Sequence, residues 1–160
     1  MTQVNIRVAC SWTDKKTWPA LQKAMKSVTK EVQTHLITRS LKKKKQMRFN
    51  RIIDCRKLAG TSGQKILSRI RKQIKFADIL LFDITPETGH TQGKANVLFE
   101  LGIAHGMDKD YYILTRNKFN SKNLASDLSC ILIGSLANNK FGPSLHKSLV
   151  FACLKVIDKK

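Results

Sequence analysis

The sequence predicts an α/β fold: a three-layer sandwich with helices on both sides of a mostly parallel, five-stranded sheet. Three observations predict it. Short apolar segments with strand character alternate with longer segments whose apolar residues recur at helical spacing, the pattern of successive β-α-β units. One strand segment, DILLFDI (78–84), is apolar almost throughout and lies between turn signals, as a central strand covered on both faces would be. The chain has 160 residues, 42% of them hydrophobic, enough for one domain with a real core.

Each element has its own reason. VNIRVACSW (4–12) is largely apolar and partly β-branched, so it reads as a first strand. TDKKTWP leads into a helix with Thr17 as N-cap and Pro19 in the first turn. Leu21, Met25, Val28, Val32 and Leu36 carry that helix to about Ile37. After the basic segment TRSLKKKKQ comes a second strand, RFNRIIDC, expected to end near Asp54. KLAGTSGQ is a turn, followed by QKILSRIRKQIKFA, with Ile66, Ile70 and Ile74 on one helical face and bases on the other. The third strand is DILLFDI. The loop TPETGHTQGK then leads to the apolar helix around ANVLFELGIA. YYILT (111–115) is a fourth strand, DLSCILIGSL (127–136) holds a fifth, and a closing helix begins near Pro143. The order β-α-β-α-β-α-β-β-α suits a flavodoxin-like sheet of strand order 2-1-3-4-5. With no internal repeat and no linker, residues 1–160 read as a single domain.

Composition narrows the setting. Thirty Lys and Arg stand against eleven Asp and Glu, for a formal charge of +19. Such a balance favours polyanions, and the densest run, Lys42, Lys43, Lys44 and Lys45, is a candidate nucleic-acid contact or else a solvated loop. No aromatic residue interleaves with that run, which argues against stacking on single strands. No apolar run approaches the roughly 18 residues of a membrane span. The first twelve residues lack the pattern of a secretory signal. Cys10, Cys55, Cys130 and Cys153 form no CxxC pair; Cys10, Cys130 and Cys153 read as small buried hydrophobes and Cys55 is ambiguous. A reducing cytoplasm is the expected location, and no metal site is expected.

Glu100 breaks the apolar helix. Burying a carboxylate is costly unless it is paired or hydrogen-bonded, so Glu100 either faces solvent, holds a structural partner, or serves a site. Open α/β sheets bind ligands beyond the carboxyl ends of their strands. Ser11 and Trp12, Asp54, and Asp83 are expected at the ends of the first three strands. Asn96, four residues before Glu100, shares its helix face. Asp83 would serve a site there or cap the following turn through Thr85. Asn96 would serve the same site or cap its helix. Asp54 would serve it or pair with Arg51 or Arg56. Trp12 would stack on a ligand or pack in the core. GTSG (60–63) would hold a phosphate or merely cap a helix. His90 and His105 are more simply solvated than catalytic.

These residues carry a resemblance. FADILLFDIT followed by NVLFELGIAHG resembles the TIR-like nucleotide-binding proteins and the related nucleoside 2-deoxyribosyltransferase-like proteins of bacteria. The shared pattern is an Ala-Asp strand start, an Asp-x-Thr strand end and NVxxELGxA, and the similarity spans roughly residues 4–116. The loop between Asp83 and Asn96 is longer than the pattern usually allows. The resemblance implies chemistry at an N-glycosidic bond with Glu100 as the catalytic residue. It further implies that Asp83 would contact a ribose hydroxyl or base or orient Glu100, that Asn96 would bond a sugar hydroxyl, that Asp54 would contact base or ribose, and that Trp12 would stack on a nucleobase. In the transferase branch that glutamate is a nucleophile; in the TIR-like branch it stabilises the ribosyl cation as NAD loses nicotinamide. NAD would then be substrate, with no separate cofactor. The resemblance also implies a homo-oligomer or a subunit of a larger complex. The first expectation is cleavage of NAD or a related nucleotide, as an effector in antiphage defence. The alternatives are a nucleoside 2-deoxyribosyltransferase, or a non-catalytic subunit that binds nucleotide or nucleic acid.

Overall fold

The computed structural model describes residues 6–11, 17–42, 53–58, 65–85, 95–116 and 133–159. Strand β1 (Ile6–Ser11) leads to helix α1 (Thr17–Lys42), β2 (Ile53–Lys57) and α2 (Lys65–Phe76). Then come β3 (Ile79–Asp83), α3 (Ala95–Gly106), β4 (Tyr111–Thr115), β5 (Ile133–Ala137), β6 (Lys140–Phe141) and α4 (Pro143–Lys159). The sheet order is β2-β1-β3-β4-β5-β6. The first five strands are parallel in the predicted order, and β6 adds an antiparallel sixth beside β5.

The strands alternate their side chains between two apolar layers, as a pleated strand must. Ile6, Val8, Cys10, Ile79 and Leu81 pack under α1 and α4 with Leu21, Met25, Val28 and Leu149. Ala9, Leu80, Phe82 and Ile113 pack under α2 and α3 with Ile70, Ile74, Val97 and Leu101. All five residues of β3 are buried, because helices cover both faces of this central strand.

Three boundaries differ from the sequence reading. Helix α1 continues to Lys42 rather than ending near Ile37. Its last turns are tied down: Arg39 Nη1 lies 2.9 Å from Asp158 Oδ1 of α4. Strand β2 runs on past Asp54 to Lys57, because its ladder with β1 carries on to the Cys10–Lys57 pair. The third difference is β6, which follows a two-residue turn. Asn138 and Asn139 take φ of 49° and 60°, the left-handed pair that a tight hairpin turn requires and that asparagine tolerates. Helix α3 ends in a Schellman arrangement: Lys109 N–H donates to Ala104 O at 3.1 Å and Asp108 N–H to His105 O at 3.0 Å. Asp108 takes the left-handed position, φ 50°.

Cys10 and Cys153 are buried in the apolar core, as expected. Cys130 and the side chain of Cys55 lie outside the described residues. Among the described residues, no helix is long and apolar enough to cross a membrane. Nor does any group of three His, Cys, Asp or Glu among them offer a metal site.

Candidate active site

The chain leaves β1 in one direction, to β2, and returns past it to β3. The carboxyl ends of β1 and β3 therefore flank a topological switch point, where open α/β sheets hold their ligands. Ser11 is the last residue of β1 and Asp83 the last of β3, and the register pairs Ser11 with Phe82. The two side chains are neighbours at one edge but leave on opposite faces. Ser11 continues the alternation of Ala9 toward α3. Asp83 continues that of Leu81 toward α1.

On the α3 face, the Ser11 hydroxyl donates to Glu100 Oε2. The two residues are 89 positions apart in sequence, so only the fold brings them together. Ser11 is buried and Glu100 half-exposed. The reason lies in the helix. Val97, Leu101 and Ala104 form the buried stripe of α3, and Glu100 sits on its flank, turned toward the carboxyl edge of β1. The carboxylate in the apolar helix thus lies at the carboxyl edge of β1, off the buried stripe of α3. Asn96, one turn earlier on the same flank, is exposed in the first turn of α3.

On the α1 face, Asp83 is almost fully buried and heavily engaged. Thr17 Oγ1 donates to Asp83 Oδ2 at 2.9 Å. The backbone N–H of Thr85 donates to Asp83 Oδ1 at 3.0 Å, and its hydroxyl donates to the same oxygen. Arg116 Nε lies 3.5 Å from Asp83 Oδ2. The Arg116 N–H donates in turn to Thr85 Oγ1 at 2.9 Å. Of the roles the sequence left open for Asp83, the geometry displays the turn-capping one through Thr85. The carboxylate also stands at the N-terminus of α1, where the helix dipole favours negative charge. Thr17, read as an N-cap from sequence, instead spends its hydroxyl on Asp83 and docks the start of α1 onto the end of β3.

Among the described residues, two other candidates lie away from this edge. Asp54 pairs with Arg7 near the amino end of the sheet, four residues before Ser11. That is about 13 Å back along the strand, so the expectation that Asp54 ends its strand beside the site is corrected. His105 lies at the far end of α3, its Nδ1 3.1 Å from the hydroxyl of Tyr111, the first residue of β4. Trp12, GTSG (60–63), His90 and the loop 86–94 lie outside the described residues.

Sequence reading missed the network around Asp83. The Asp-x-Thr spacing was a usable signal for Thr85, since aspartate commonly bonds the backbone two residues on. Nothing local marks Arg116 or Thr17, which reach Asp83 only through the parallel order of β3 and β4 and the docking of α1.

Neither any protein-family model nor any curated protein matches the chain. Among solved structures, a 2-desoxiribosyltransferase from Leishmania mexicana is similar at 16% sequence identity, with a TM-score of 0.41. The similarity covers 69% of this chain and 65% of that one, so the chain spans just under two thirds of that protein's length.

Proposed function

We propose that the chain breaks and remakes the N-glycosidic bond of a nucleoside or nucleotide, with Glu100 as nucleophile and a second base as acceptor. This is the reaction of a nucleoside 2-deoxyribosyltransferase. The observation that supports it is the hydrogen bond from Ser11 to Glu100 at the β1/β3 switch point. A hydroxyl donating to Oε2 fixes the plane of the carboxylate, so that it is held in one orientation toward an anomeric carbon placed at this edge. In the first step that oxygen bonds to the anomeric carbon while the base departs with the C–N bonding pair and takes up a proton. In the second, a nitrogen of the incoming base displaces the carboxylate and loses its proton. Dividing the reaction in this way replaces one difficult step by two easier ones. The positive charge that builds on the sugar is met by the fixed carboxylate.

Transfer is favoured over hydrolysis by the state of the other carboxylate at this edge. Hydrolysis calls for a group to activate water, and Asp83 is already committed to Thr17, Thr85 and Arg116. The test is a product assay on wild type and Glu100→Gln, with nucleosides and deoxynucleotides plus a free acceptor base, and in parallel with NAD and NADP. Wild type is expected to exchange bases, and Glu100→Gln to lose at least about a thousandfold in rate. Free nicotinamide from NAD without base exchange would replace transfer by NAD cleavage. Nucleotide binding by both proteins with product from neither would make the chain a binding subunit.

A further inference from the structure

The geometry points to the outer face of α2 as a docking surface for the sugar–phosphate backbone of a nucleic-acid duplex. This surface lies on a different helix from Glu100, which α3 carries, and on the opposite face of the sheet from α1, which ends at Lys42.

Helix α2 buries Ile70 and Ile74 against the sheet and presents Arg69, Arg71, Lys72 and Lys75 to solvent. It contains no Asp or Glu. At 3.6 residues per turn, the four bases cover about 160° of its circumference, and its twelve residues extend about 18 Å. Arg69, Lys72 and Lys75 follow one another at i, i+3 spacing, and Arg71 and Lys75 at i, i+4, so the Cβ atoms of neighbouring basic residues stand about 5–6 Å apart. A convex row of cations without intervening acid matches a regular line of phosphates. Arginine adds a planar fork that grips phosphate oxygens in pairs.

Two features of the same helix choose among polyanions. A membrane surface would require apolar side chains at the centre of the exposed arc. The exposed apolar residues, Leu67 and Phe76, are instead nine residues apart and therefore about half a circumference from each other. Leu67 lies about 40° outside one end of the basic arc and Phe76 about 20° inside the other, so they cannot enter one lipid plane together. A single strand would call for successive aromatic rings along the row on which successive bases stack, and α2 offers one, Phe76, at its last residue. A duplex asks only for the charges. No group on the arc is arranged to read base edges, so binding is independent of sequence.

The experiment measures binding of the full chain to a fluorescent duplex of roughly 20 base pairs, between about 50 and 200 mM salt. Each phosphate neutralised contributes about −0.9 to the slope of log K against log salt. The variant Arg69→Gln/Arg71→Gln/Lys72→Gln/Lys75→Gln is expected to flatten the slope by about 3.6, and Arg71→Gln/Lys72→Gln by about 1.8. All four positions are exposed, so circular dichroism should match wild type, and the variants, carrying less positive charge, should melt no lower than wild type. Changing Lys42 to Lys45 to Gln should leave the α2 contribution in place. The proposal is overturned if the slope is unchanged in the α2 variants, or if the whole loss follows Lys42 to Lys45. It is equally overturned if the chain binds phosphatidylserine vesicles through these residues while ignoring the duplex.

Discussion

A serine hydroxyl set against a glutamate decides the reading of this site, and its energetic effect is open to measurement. A hydrogen bond to a charged group contributes about 1.5–3 kcal/mol. Ser11→Ala removes the donor to Glu100 but leaves the carboxylate and the strand in place. Turnover is expected to fall roughly 10–100-fold with KM little changed, because an unanchored nucleophile is mispositioned rather than absent. A rise in KM at constant turnover would make Ser11 a substrate contact instead. The second residue-scale prediction concerns Cys153. Burial chiefly, and then the charge of Asp78, push its thiol from its ordinary value of 9.0 up to about 12. Between those values the unfolded chain releases this proton and the folded chain keeps it. Stability from this group is therefore full below about pH 9 and declines as pH rises toward 12. By pH 10 the loss is about 1 kcal/mol, to be read as the difference in urea unfolding between pH 8 and pH 10. Cys153→Ala should reduce that difference. At this scale, legibility depended on local incongruity. A carboxylate in an apolar helix announces itself, as Glu100 did. The partners of Asp83 do not, because Thr17 and Arg116 are ordinary residues in ordinary local contexts until the sheet assembles.

Among the elements, type was readable and extent was not. The strand β3 and the helix α2 declare themselves by continuous apolarity and by a 3.6-residue period. The ends depend on tertiary contacts that no period encodes. Helix α1 outlasts its apolar stripe because Arg39 finds Asp158 on α4. Strand β2 outlasts Asp54 because β1 still offers it a partner at Cys10. The misplacement of Asp54 followed directly from that boundary. The hairpin to β6 was signalled only by Asn138 and Asn139, beside strands too short to show an alternation. Its packing yields a prediction. A Cβ on Gly134 of β5 would come within 2.6 Å of Leu145 Cβ and 2.8 Å of its Cγ. The Leu145 Cβ is fixed to the backbone of α4 and cannot rotate away. Gly134→Ala is therefore expected to destabilise by about 1–3 kcal/mol through overpacking, measured as a lowered denaturation midpoint at unchanged m-value. Gly134→Ala combined with Leu145→Ala should recover part of that loss, since it removes the Cγ clash while leaving the Cβ contact.

For the whole molecule, charge is the property that the fold distributes rather than determines. The sequence shows +19 directly, but only the structure shows where it lies. Helix α2 carries an exposed arc of bases, whereas α3, which holds Glu100, contributes no Lys or Arg. Glu100, the proposed nucleophile, thus sits on the least basic helix of a strongly basic chain. So large a net charge repels itself in the folded state more than in the expanded one, and salt relieves that repulsion. The Debye length falls from tens of ångströms in dilute buffer to about 8 Å at physiological ionic strength, shorter than the span of α2. The melting temperature is therefore expected to rise by about 5 °C between roughly 20 and 300 mM sodium chloride, equivalent to about 1–2 kcal/mol. Thermal melts at matched ionic strength in chloride and phosphate separate two sources of this gain. Pure screening makes the two salts equal. A clustered cation surface that captures phosphate oxygens makes phosphate stabilise more than chloride, by the mass-action contribution of a ligand bound only to the folded state. Removing the four exposed bases of α2 should abolish that excess while leaving the chloride response reduced but present, because the remaining positive charge still repels itself.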